Sequence, residues 1–435
     1  MGLPAQFGRH APREHIGERM RAALRKGWCP SVLRPMASGD GLIVRVNLNN
    51  GRLSPVLARA LARCAHRFGN GLFDLSARAN LQLRGIGDAT LSPLQSELCD
   101  LGLSETEEAP STARNISASP LAGIDPQAIL DIGPCVELLR DRLTRETILH
   151  ALPAKFGFIV DDGGALSLAS EKTDVSFLAR RRGGVPHFLI SLAGRAAGEC
   201  AIDDLADAGL RIALAFLELR DAPTERMAGL VRRIGVAAIA GEAGLAPTTE
   251  TPVHDRPPTA IGAYRVGGHH VLGLGVPFGR LDAAMLERLA DIAEASSGEL
   301  RLTPWRAILV VAVTPPDAAS LADIALIFSE DDPLRAVAAC PGAPDCANAT
   351  TSTHEDARRL APFARRLRAR GIFVHVSGCA KGCAHPRKAP VTFIGRDGCY
   401  DLVLDGTTAD KPIAAGLSGA QLNLALQQLV AKIDA

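Results

Sequence analysis

Two stretches of the chain, about half a chain apart, carry the same order of hydrophobic and polar positions. The first runs from Gly41 to Ile86 (GLIVRVNLNNGRLSPVLARALARCAHRFGNGLFDLSARANLQLRGI) and the second from Val271 to Val313 (VLGLGVPFGRLDAAMLERLADIAEASSGELRLTPWRAILVVAV). Each begins as an apolar strand, passes through Gly-Arg-Leu into an amphipathic helix, and returns through a glycine turn to a second strand. The paired anchors are offset by 228 and 227 residues, so one deletion relates the copies. The repeat predicts an old duplication with pseudo-twofold symmetry.

A longer mixed segment follows each copy. Residues 110–240 alternate strand patterns such as HFLISLAG with helix patterns such as DDLADAGLRIALAFLELRD. Residues 335–435 do the same and end in a helix pattern, LSGAQLNLALQQLVAKIDA. Residues 241–259 are rich in Pro, Thr and Gly without periodicity, which is typical of a linker. We therefore expect an α+β protein of two related halves that face each other.

The composition of the chain argues against several classes of function. Lys and Arg total 48 against 47 Asp and Glu, and aromatic residues make up 4% of the 435, so neither nucleic acid nor an anionic membrane is an expected partner. The chain has no run of about 18 apolar residues and no apolar export signal, which predicts a cytoplasmic protein without disulfides. Among ten cysteines, Cys64 and Cys99 lie in apolar helix patterns, where we expect buried side chains.

Four other cysteines form two close pairs near the C-terminus. Cys340 and Cys346 have a C-x5-C spacing, and Cys379 and Cys383 have a C-x3-C spacing. Thiolates select zinc, copper(I) or iron–sulfur clusters, and structural zinc sites usually use C-x2–4-C pairs. The first pair is wide for zinc, and the neighbouring glycines and prolines allow open loops around a larger group. The spacing favours a [4Fe-4S] cluster over zinc or free thiols.

Motifs along the chain resemble one known family. CPGAPDC followed by SGCAKGC is similar to the cluster signature of the sirohaem-dependent nitrite and sulfite reductases. SARANLQLRGI (Ser76–Ile86), ARNISASPLAGID (Ala113–Asp125) and LPAKF (Leu152–Phe156) are similar to further motifs of that family, in the same order. The resemblance covers nearly the whole chain from about residue 30.

The resemblance implies a domain plan. Two ferredoxin-like half-domains would occupy residues 30–90 and 260–315. Two larger α/β domains of the nitrite/sulfite reductase type would occupy residues 105–240 and 330–435, with a linker at 241–259. The second α/β domain would carry the iron–sulfur site.

The resemblance also implies a cofactor and an anion site. In the reductases the last cysteine, here Cys383, bridges the cluster to sirohaem iron, and cations such as Arg45, Arg78 and Lys155 hold the substrate anion. Gly157 stands where the reductases carry a second lysine, and Asn47 where many carry a second arginine. A site with fewer cations loses charge-assisted hydrogen bonds of about 1.5–3 kcal/mol each. This depletion argues against nitrite or sulfite reduction.

Two segments, GWCPSVLRPMASGDGLIVRV and SGCAKGCAHP, resemble the precorrin-3B synthase branch of the family. That resemblance implies a monooxygenase of aerobic cobalamin biosynthesis, which hydroxylates precorrin-3A with dioxygen and closes a γ-lactone. It implies a [4Fe-4S] cluster and a mononuclear non-haem iron. Arginine forks suit the carboxylates of such a tetrapyrrole. The candidate substrate-binding residues are Arg45, Arg78, Gln82, Arg114, Asn115, Lys155, Arg301 and Arg306.

Several alternatives stay open. A sirohaem-dependent nitrite or sulfite reductase is the second hypothesis, and a tetrapyrrole carrier without catalysis is the third. No ligands for a mononuclear iron stand out, since His354-Glu355-Asp356 is typical of a helix start. No G-x-G-x-x-G follows a strand, so an external electron donor, a reductase or a ferredoxin-like protein, is expected.

Overall fold

The structure is a computed structural model that describes residues 29–103, 115–252, 259–368 and 371–434. The described residues form twenty strands and nine helices. In chain order these are β1 (Met36–Ser38), β2 (Gly41–Val46), β3 (Arg52–Leu53), α1 (Pro55–Phe68), β4 (Leu72–Leu75), β5 (Leu81–Ile86), α2 (Asp88–Asp100), β6 (Ile116–Ala118), α3 (Gly133–Thr144), β7 (Phe158–Asp161), β8 (Val175–Arg182), β9 (Val185–Leu192), β10 (Arg195–Cys200), α4 (Leu205–Leu219), α5 (Met227–Ile234), α6 (Val236–Glu242), β11 (Gly262–Val266), β12 (His269–Gly275), β13 (Arg280–Asp282), α7 (Ala283–Ala295), β14 (Gly298–Leu302), β15 (Ala307–Ala312), β16 (Val337–Ala339), α8 (Thr353–Arg368), β17 (Val374–Ser377), β18 (Ala389–Arg396), β19 (Cys399–Gly406), β20 (Ala414–Leu417) and α9 (Gly419–Asp434).

The two sequence repeats fold alike and exchange strands. The first sheet has the order β1-β2-β5-β4-β13 and the second the order β11-β12-β15-β14-β3. The short strand formed by Gly-Arg-Leu in each repeat therefore completes the sheet of the other. Arg280 pairs with Asp74, and Leu53 pairs with Leu300. The duplicated ferredoxin-like architecture expected from the sequence is confirmed.

Matching backbone conformations mark the same duplication. Short 3-10 turns precede the exchanged strands at Asn49–Gly51 and Pro277–Gly279. Their last residues have φ of 70° and 80°, where a side chain is strained. The sheet hairpins repeat this agreement, because Ala79 has a φ of 54° and Arg306 a φ of 56°.

Local sequence explains the central helix of each repeat. The Ser54 hydroxyl accepts the amide hydrogen bond of Leu57 at the start of α1 (3.2 Å), and Pro55 suits the first helical position. At α7, Asp282 accepts from the Met285 amide at 2.8 Å. The two helices pack against each other, and their apolar faces join both sheets in one core.

The two larger segments also share a topology. The third sheet, β6-β7-β8-β9-β10, is parallel over its first three strands and antiparallel over its last three. The fourth sheet, β16-β17-β18-β19-β20, follows the same pattern. The core of the third sheet is aromatic, since Phe156, Phe158, Phe177, Phe188 and Phe216 are all at most 1% exposed. The fold is α+β, with both parts duplicated.

The described chain divides into two compact units. The larger contains Cys29–Ala37 and Gly41–Glu330, and the smaller contains Ser38–Asp40 and the described residues from Asp331 onward. Both half-domains and the third sheet therefore belong to one unit. The predicted linker differs in part, because Gly241 is still in α6 and Glu199 donates its amide to the Ala246 carbonyl at 3.0 Å.

The two cysteines predicted as buried have different surroundings. Cys64 is 1% exposed in the core face of α1, as expected. The prediction for Cys99 is wrong, since its side chain is exposed on α2. The buried stripe of that helix is formed by Leu94 and Leu98, and the next position along a helix turns about 100° away from such a stripe. Within the described chain, no helix combines the length and apolar character needed to cross a bilayer.

Candidate functional site

The four paired cysteines lie together in the smaller unit. Cys340 follows β16 and Cys379 follows β17, and these strands are parallel neighbours, so their carboxyl ends meet. The Gly378 amide donates a hydrogen bond to Cys340 Sγ at 3.2 Å. Each of Cys340, Cys346 and Cys379 contributes to the electrostatic environment of Cys383. The sequence-predicted ligand set is therefore assembled at one edge of the fourth sheet.

Tight packing holds the loops around these cysteines. Gly342 has a φ of 72°, and a Cβ there would overlap Thr353 at the start of α8. The Thr353 hydroxyl in turn donates to the Cys340 carbonyl. Gly382 has a φ of 65°, and the neighbouring Thr408 hydroxyl donates to the Ala380 carbonyl at 2.7 Å. The cysteine positions are thus preset by neighbouring backbone and hydroxyl groups.

The chemistry of the four thiols fits a multi-iron cluster. Burial raises the pKa of Cys383 to about 11 and raises the pKa of Cys379, while Lys381 acts to lower both. Such thiols ionise when a metal binds them. Zn–S bonds of about 2.3 Å would bring zinc-bound sulfurs to about 3.8 Å from one another. In the described ranges, no three of the four sulfurs lie within 4.8 Å of one another, which fits the wider cage of a cluster.

A second constellation lies in the larger unit and contains one thiol and three cations. We call Cys29, Arg45, Arg78 and Lys155 the cation cluster. Arg78 Nη2 donates to the Lys155 carbonyl at 2.9 Å, and Arg78 Nη1 lies 3.9 Å from Cys29 Sγ. Arg45 hydrogen-bonds the same sulfur. On the neighbouring strand, Gln82 accepts from Arg45 Nε and Nη2 at 3.0 and 2.7 Å when its amide is oriented to satisfy both side chains.

Charges within the cation cluster act on one another. Burial raises the pKa of the Cys29 thiol, but Arg45, Arg78 and Lys155 outweigh it, so the pKa lies below its ordinary value. Burial lowers the pKa of Arg78, and nearby Arg45 and Arg226 act in the same direction. A negative group therefore stabilises this crowded set of cations.

Sequence reasoning missed the residues that hold the segment around Lys155. The buried Asp174 carboxylate accepts from the Gly157 amide at 3.2 Å and forms an ion pair with Arg226. Arg226 Nη2 also donates to the Lys155 carbonyl at 3.0 Å. Asp174 and Arg226 have no motif spacing, since 52 residues separate them, so the sequence carried no signal for the pair.

Asn115 belongs to the same support. Its Nδ2 donates to the carbonyls of Ala154 and Phe156 at 3.0 and 3.1 Å. The side chain is 7% exposed. Its amide nitrogen thus positions the segment that contains Lys155, while its predicted contact with substrate stays a prediction.

Comparison with known proteins identifies the family. The model of the nitrite/sulfite reductase ferredoxin-like half domain matches residues 34–101 and 264–326. A precorrin-3B synthase of Sinorhizobium sp is 33% identical over 400 residues, which cover 90% of this chain and 86% of that protein. The chain belongs to the nitrite and sulfite reductase family. The resemblance drawn from the motifs is confirmed.

Other members of the family are more distant. A ferredoxin–nitrite reductase of Leptolyngbya laminosa is 28% identical over 407 residues, covering 85% of this chain and 79% of that protein. The structure of the Mycobacterium tuberculosis NirA protein superposes with a TM-score of 0.73 at 22% identity, covering 90% and 80% of the two chains. This likeness supports the fold. Membership makes the chain an oxidoreductase and implies an iron–sulfur cluster and a tetrapyrrole ligand.

Two further predicted arginines, Arg301 and Arg306, lie in the second half-domain. Arg301 is 3% exposed, donates to the Pro120 and Ala122 carbonyls at 3.0 Å each, and pairs with Glu299 at 2.8 Å. Its guanidinium therefore fixes the loop after β6, while its predicted contact with a substrate carboxylate stays a prediction. Arg306 lies in the β14–β15 hairpin at positive φ. Arg114 lies outside the described residues.

One group of possible metal ligands does not fit a mononuclear iron. His187, Glu199 and Glu250 are the single set of three within 4.8 Å among the residues that the structure describes. Arg182 already binds both Glu199 oxygens at 2.6 Å and Glu250 at 3.0 Å. A non-haem iron that uses dioxygen typically has two histidines and one carboxylate with open positions. We therefore assign no step of chemistry to this group, and the mononuclear iron stays a prediction.

Proposed function

We propose that the chain is a precorrin-3B synthase-type monooxygenase. It would hydroxylate precorrin-3A with dioxygen, after which a ring acetate closes a γ-lactone. The observation that carries the proposal is the 33% identity to a precorrin-3B synthase over 90% of the chain, against 28% to a nitrite reductase. The reaction needs two electrons and two protons for each dioxygen, because one oxygen atom enters the product and the other leaves as water. An external donor supplies the electrons.

The reduced number of cations supports an oxygenase over an anion reductase. The position of the second lysine is Gly157, where an added Cβ would lie 3.0 Å from the Asn115 carbonyl oxygen. The Gly157 amide and carbonyl are also engaged, by Asp174 and by the Thr173 hydroxyl. A long cation could enter only if this segment shifted. The packing around Lys155 therefore requires a small residue at position 157, and this accounts for the missing second lysine.

The chain's own residues bind and orient the macrocycle. Arg45, Arg78 and Lys155 offer charged donors to its carboxylates, and each such hydrogen bond contributes about 1.5–3 kcal/mol. Gln82 and the Lys155 carbonyl fix the directions of the two guanidinium groups. Fixed donors orient the reacting carbon and reduce the entropy lost when the reactants meet.

The cysteines of the smaller unit serve electron transfer in this proposal. Cys340, Cys346, Cys379 and Cys383 would hold a [4Fe-4S] cluster, which would supply one-electron transfer chemistry. The Gly378 amide and the Lys381 charge stabilise the thiolate ligands.

Isotope labelling tests the function. Anaerobically purified holoenzyme, given precorrin-3A, ¹⁸O₂ and a chemical electron donor, should yield a lactone that contains ¹⁸O. The Cys379→Ser variant should lose both the visible iron–sulfur absorbance and turnover, whereas Cys399→Ser, outside the four-cysteine set, should keep them.

The same preparation tests the second candidate. A sirohaem-dependent nitrite reductase is favoured by the retained Arg45, Arg78 and Lys155. It predicts extractable sirohaem at one equivalent and nitrite consumption. Sirohaem at that ratio, with no labelled lactone, would overturn the monooxygenase proposal.

A further inference from the structure

One group in the cation cluster has no role in the proposed function so far, and that group is the Cys29 thiol. Its sulfur lies 3.9 Å from Arg78 Nη1 and accepts a hydrogen bond from Arg45. Arg78 connects it to the Lys155 backbone through a 2.9 Å hydrogen bond. The side chain is half-buried. A thiol surrounded by three cations is in the setting where protein thiols ionise.

We propose that Cys29 is a built-in anion: its thiolate takes the position that a free small anion would otherwise occupy between Arg45, Arg78 and Lys155. Cys29 thereby determines which anions can bind between these cations. It excludes monovalent oxyanions such as nitrite, and it leaves the positive charge that the thiolate does not cancel to the carboxylates of a larger ligand.

Electrostatics and packing give the reason. The thiolate cancels one of three positive charges at close range, where Coulomb interactions are strongest. It also uses hydrogen-bond donors of two guanidinium groups. A nitrite ion would have to displace a covalently attached sulfur, whose effective concentration a dissolved anion does not reach at millimolar levels. The direction in which Arg45, Arg78 and Lys155 shift the pKa of the Cys29 thiol, below its ordinary value, agrees with this geometry.

The inference deepens the proposed function and explains how a site of reductase ancestry rejects a reductase substrate. It concerns the larger unit alone. It is therefore tested without turnover of precorrin-3A and separately from ¹⁸O incorporation.

The first measurement is the ionisation of Cys29 in the holoenzyme. The rate of alkylation by iodoacetamide is followed against pH by mass spectrometry of the Cys29 peptide. The midpoint should lie below the ordinary thiol value of about 8.5, and Arg45→Gln should raise it by about one pH unit or more. The exposed Cys99, read in the same digests, should not respond to Arg45→Gln. A Cys29 midpoint at or above 8.5 would overturn the proposal.

The second measurement is nitrite binding by calorimetry at constant ionic strength and pH 8. Cys29→Ser removes the fixed charge and should bind nitrite at least about tenfold more tightly than the wild type. Cys29→Asp keeps a negative charge at the position and should bind no better than the wild type. The Cys99→Ser control should match the wild type. Equal nitrite affinity of Cys29→Ser and the wild type would overturn the proposal.

The two lines of testing separate the hypotheses. A labelled lactone together with an ordinary Cys29 midpoint keeps the function and rejects the built-in anion. A low midpoint with gain of nitrite binding in Cys29→Ser, but no labelled lactone, rejects the function and keeps the built-in anion.

Discussion

Single buried side chains control how the cation cluster is held. The sequence could supply the cations themselves, because Arg45, Arg78 and Lys155 lie in motifs of recognisable spacing. It could not supply Asp174, a residue that is 3% exposed, because nothing in its neighbourhood distinguishes it from other acids that precede strands. Its importance comes from the folded positions of Arg226 and Gly157. Long-range partners of this kind are set by tertiary packing rather than by local pattern.

The first prediction concerns Asp174. Asp174→Asn removes the charge that faces Arg226 and weakens the amide contacts with Gly157 and Met227, so it should lower the free energy of unfolding by about 2–3 kcal/mol. Urea unfolding followed by tryptophan fluorescence measures this, since Trp305 lies in the larger unit. The exposed Asp221 pairs with Arg233 at 2.8 Å, and Asp221→Asn should cost less than about 0.5 kcal/mol. Equal effects of the two variants would contradict the prediction.

The second prediction concerns pH and Asp162, which is 1% exposed. Burial, helped by repulsion from Asp161, raises its pKa to about 6. A carboxyl with a raised folded-state pKa contributes stability below its unfolded pKa of about 4, and that stability is lost as the pH rises through 6. Asp162→Asn should therefore raise the free energy of unfolding by up to about 2 kcal/mol at pH 7.5, and by less at pH 5. A gain that is the same at both pH values would show that the carboxyl is not the cause.

At the scale of elements, the sequence predicts the order of strands and helices but not how the strands pair. The order strand, turn, helix, turn, strand is confirmed in both repeats, because each element has a clear hydrophobic period. The exchanged strands β3 and β13 escape such reasoning, since two or three residues have no measurable period. In the smaller unit, α8 begins at Thr353 with Glu355 and Asp356 in its first turn, as the capping pattern predicts. The cysteine loops could be placed from spacing, while the parallel pairing of β16 and β17 that joins them is a product of folding.

The third prediction belongs to the turns that precede the exchanged strands. At Gly51, φ is 70° and a Cβ would lie 2.9 Å from the Leu302 carbonyl oxygen. Gly51→Ala should lower the free energy of unfolding by about 1–2 kcal/mol or more, since strain and contact act together. Gly241 is a matched control near the end of α6, with nothing within 4 Å of its added Cβ. Gly241→Ala should be neutral or slightly stabilising in the same unfolding measurement. An unchanged midpoint for Gly51→Ala would refute this account of the turn.

At the scale of the molecule, strand exchange joins the two repeats more firmly than their sequence separation suggests. Asp74 of the first repeat accepts from Arg280 of the second at 2.9 Å, and Arg84 donates to the same carboxylate at 2.7 Å. The duplication was visible in the sequence because both copies keep their pattern. The exchange was not, because a swapped and an unswapped pair of repeats bury the same residues. The hydrophobic pattern also did not predict that the third sheet and the two half-domains form one compact unit.

The fourth prediction follows from the strand exchange between the two repeats. A chain divided between residues 252 and 259 should still assemble, because each fragment completes a sheet of the other. A tagged N-terminal fragment should co-purify the C-terminal fragment when the two are co-expressed. Arg280→Glu should abolish co-purification, since it sets two carboxylates against each other at a side chain that is 11% exposed.

Arg288→Glu provides the control for the divided chain. Arg288 pairs with Asp323, which lies in the same fragment, and both side chains are exposed. This variant should co-purify like the wild type. Fragments that purify separately without any substitution would show that the exchanged strands do not hold the repeats together.

The exchanged strands also set the order in which parts of the chain can fold during synthesis. The first sheet keeps an open edge at β4 until β13 has left the ribosome, after the whole third sheet has been made. An unpaired edge invites association with other strands. The intervening domain can fold on its own core in this interval. The emerging chain therefore carries an exposed, aggregation-prone edge from the completion of β4 at Leu75 until Arg280 has been made, and the closing step is a late, long-range one.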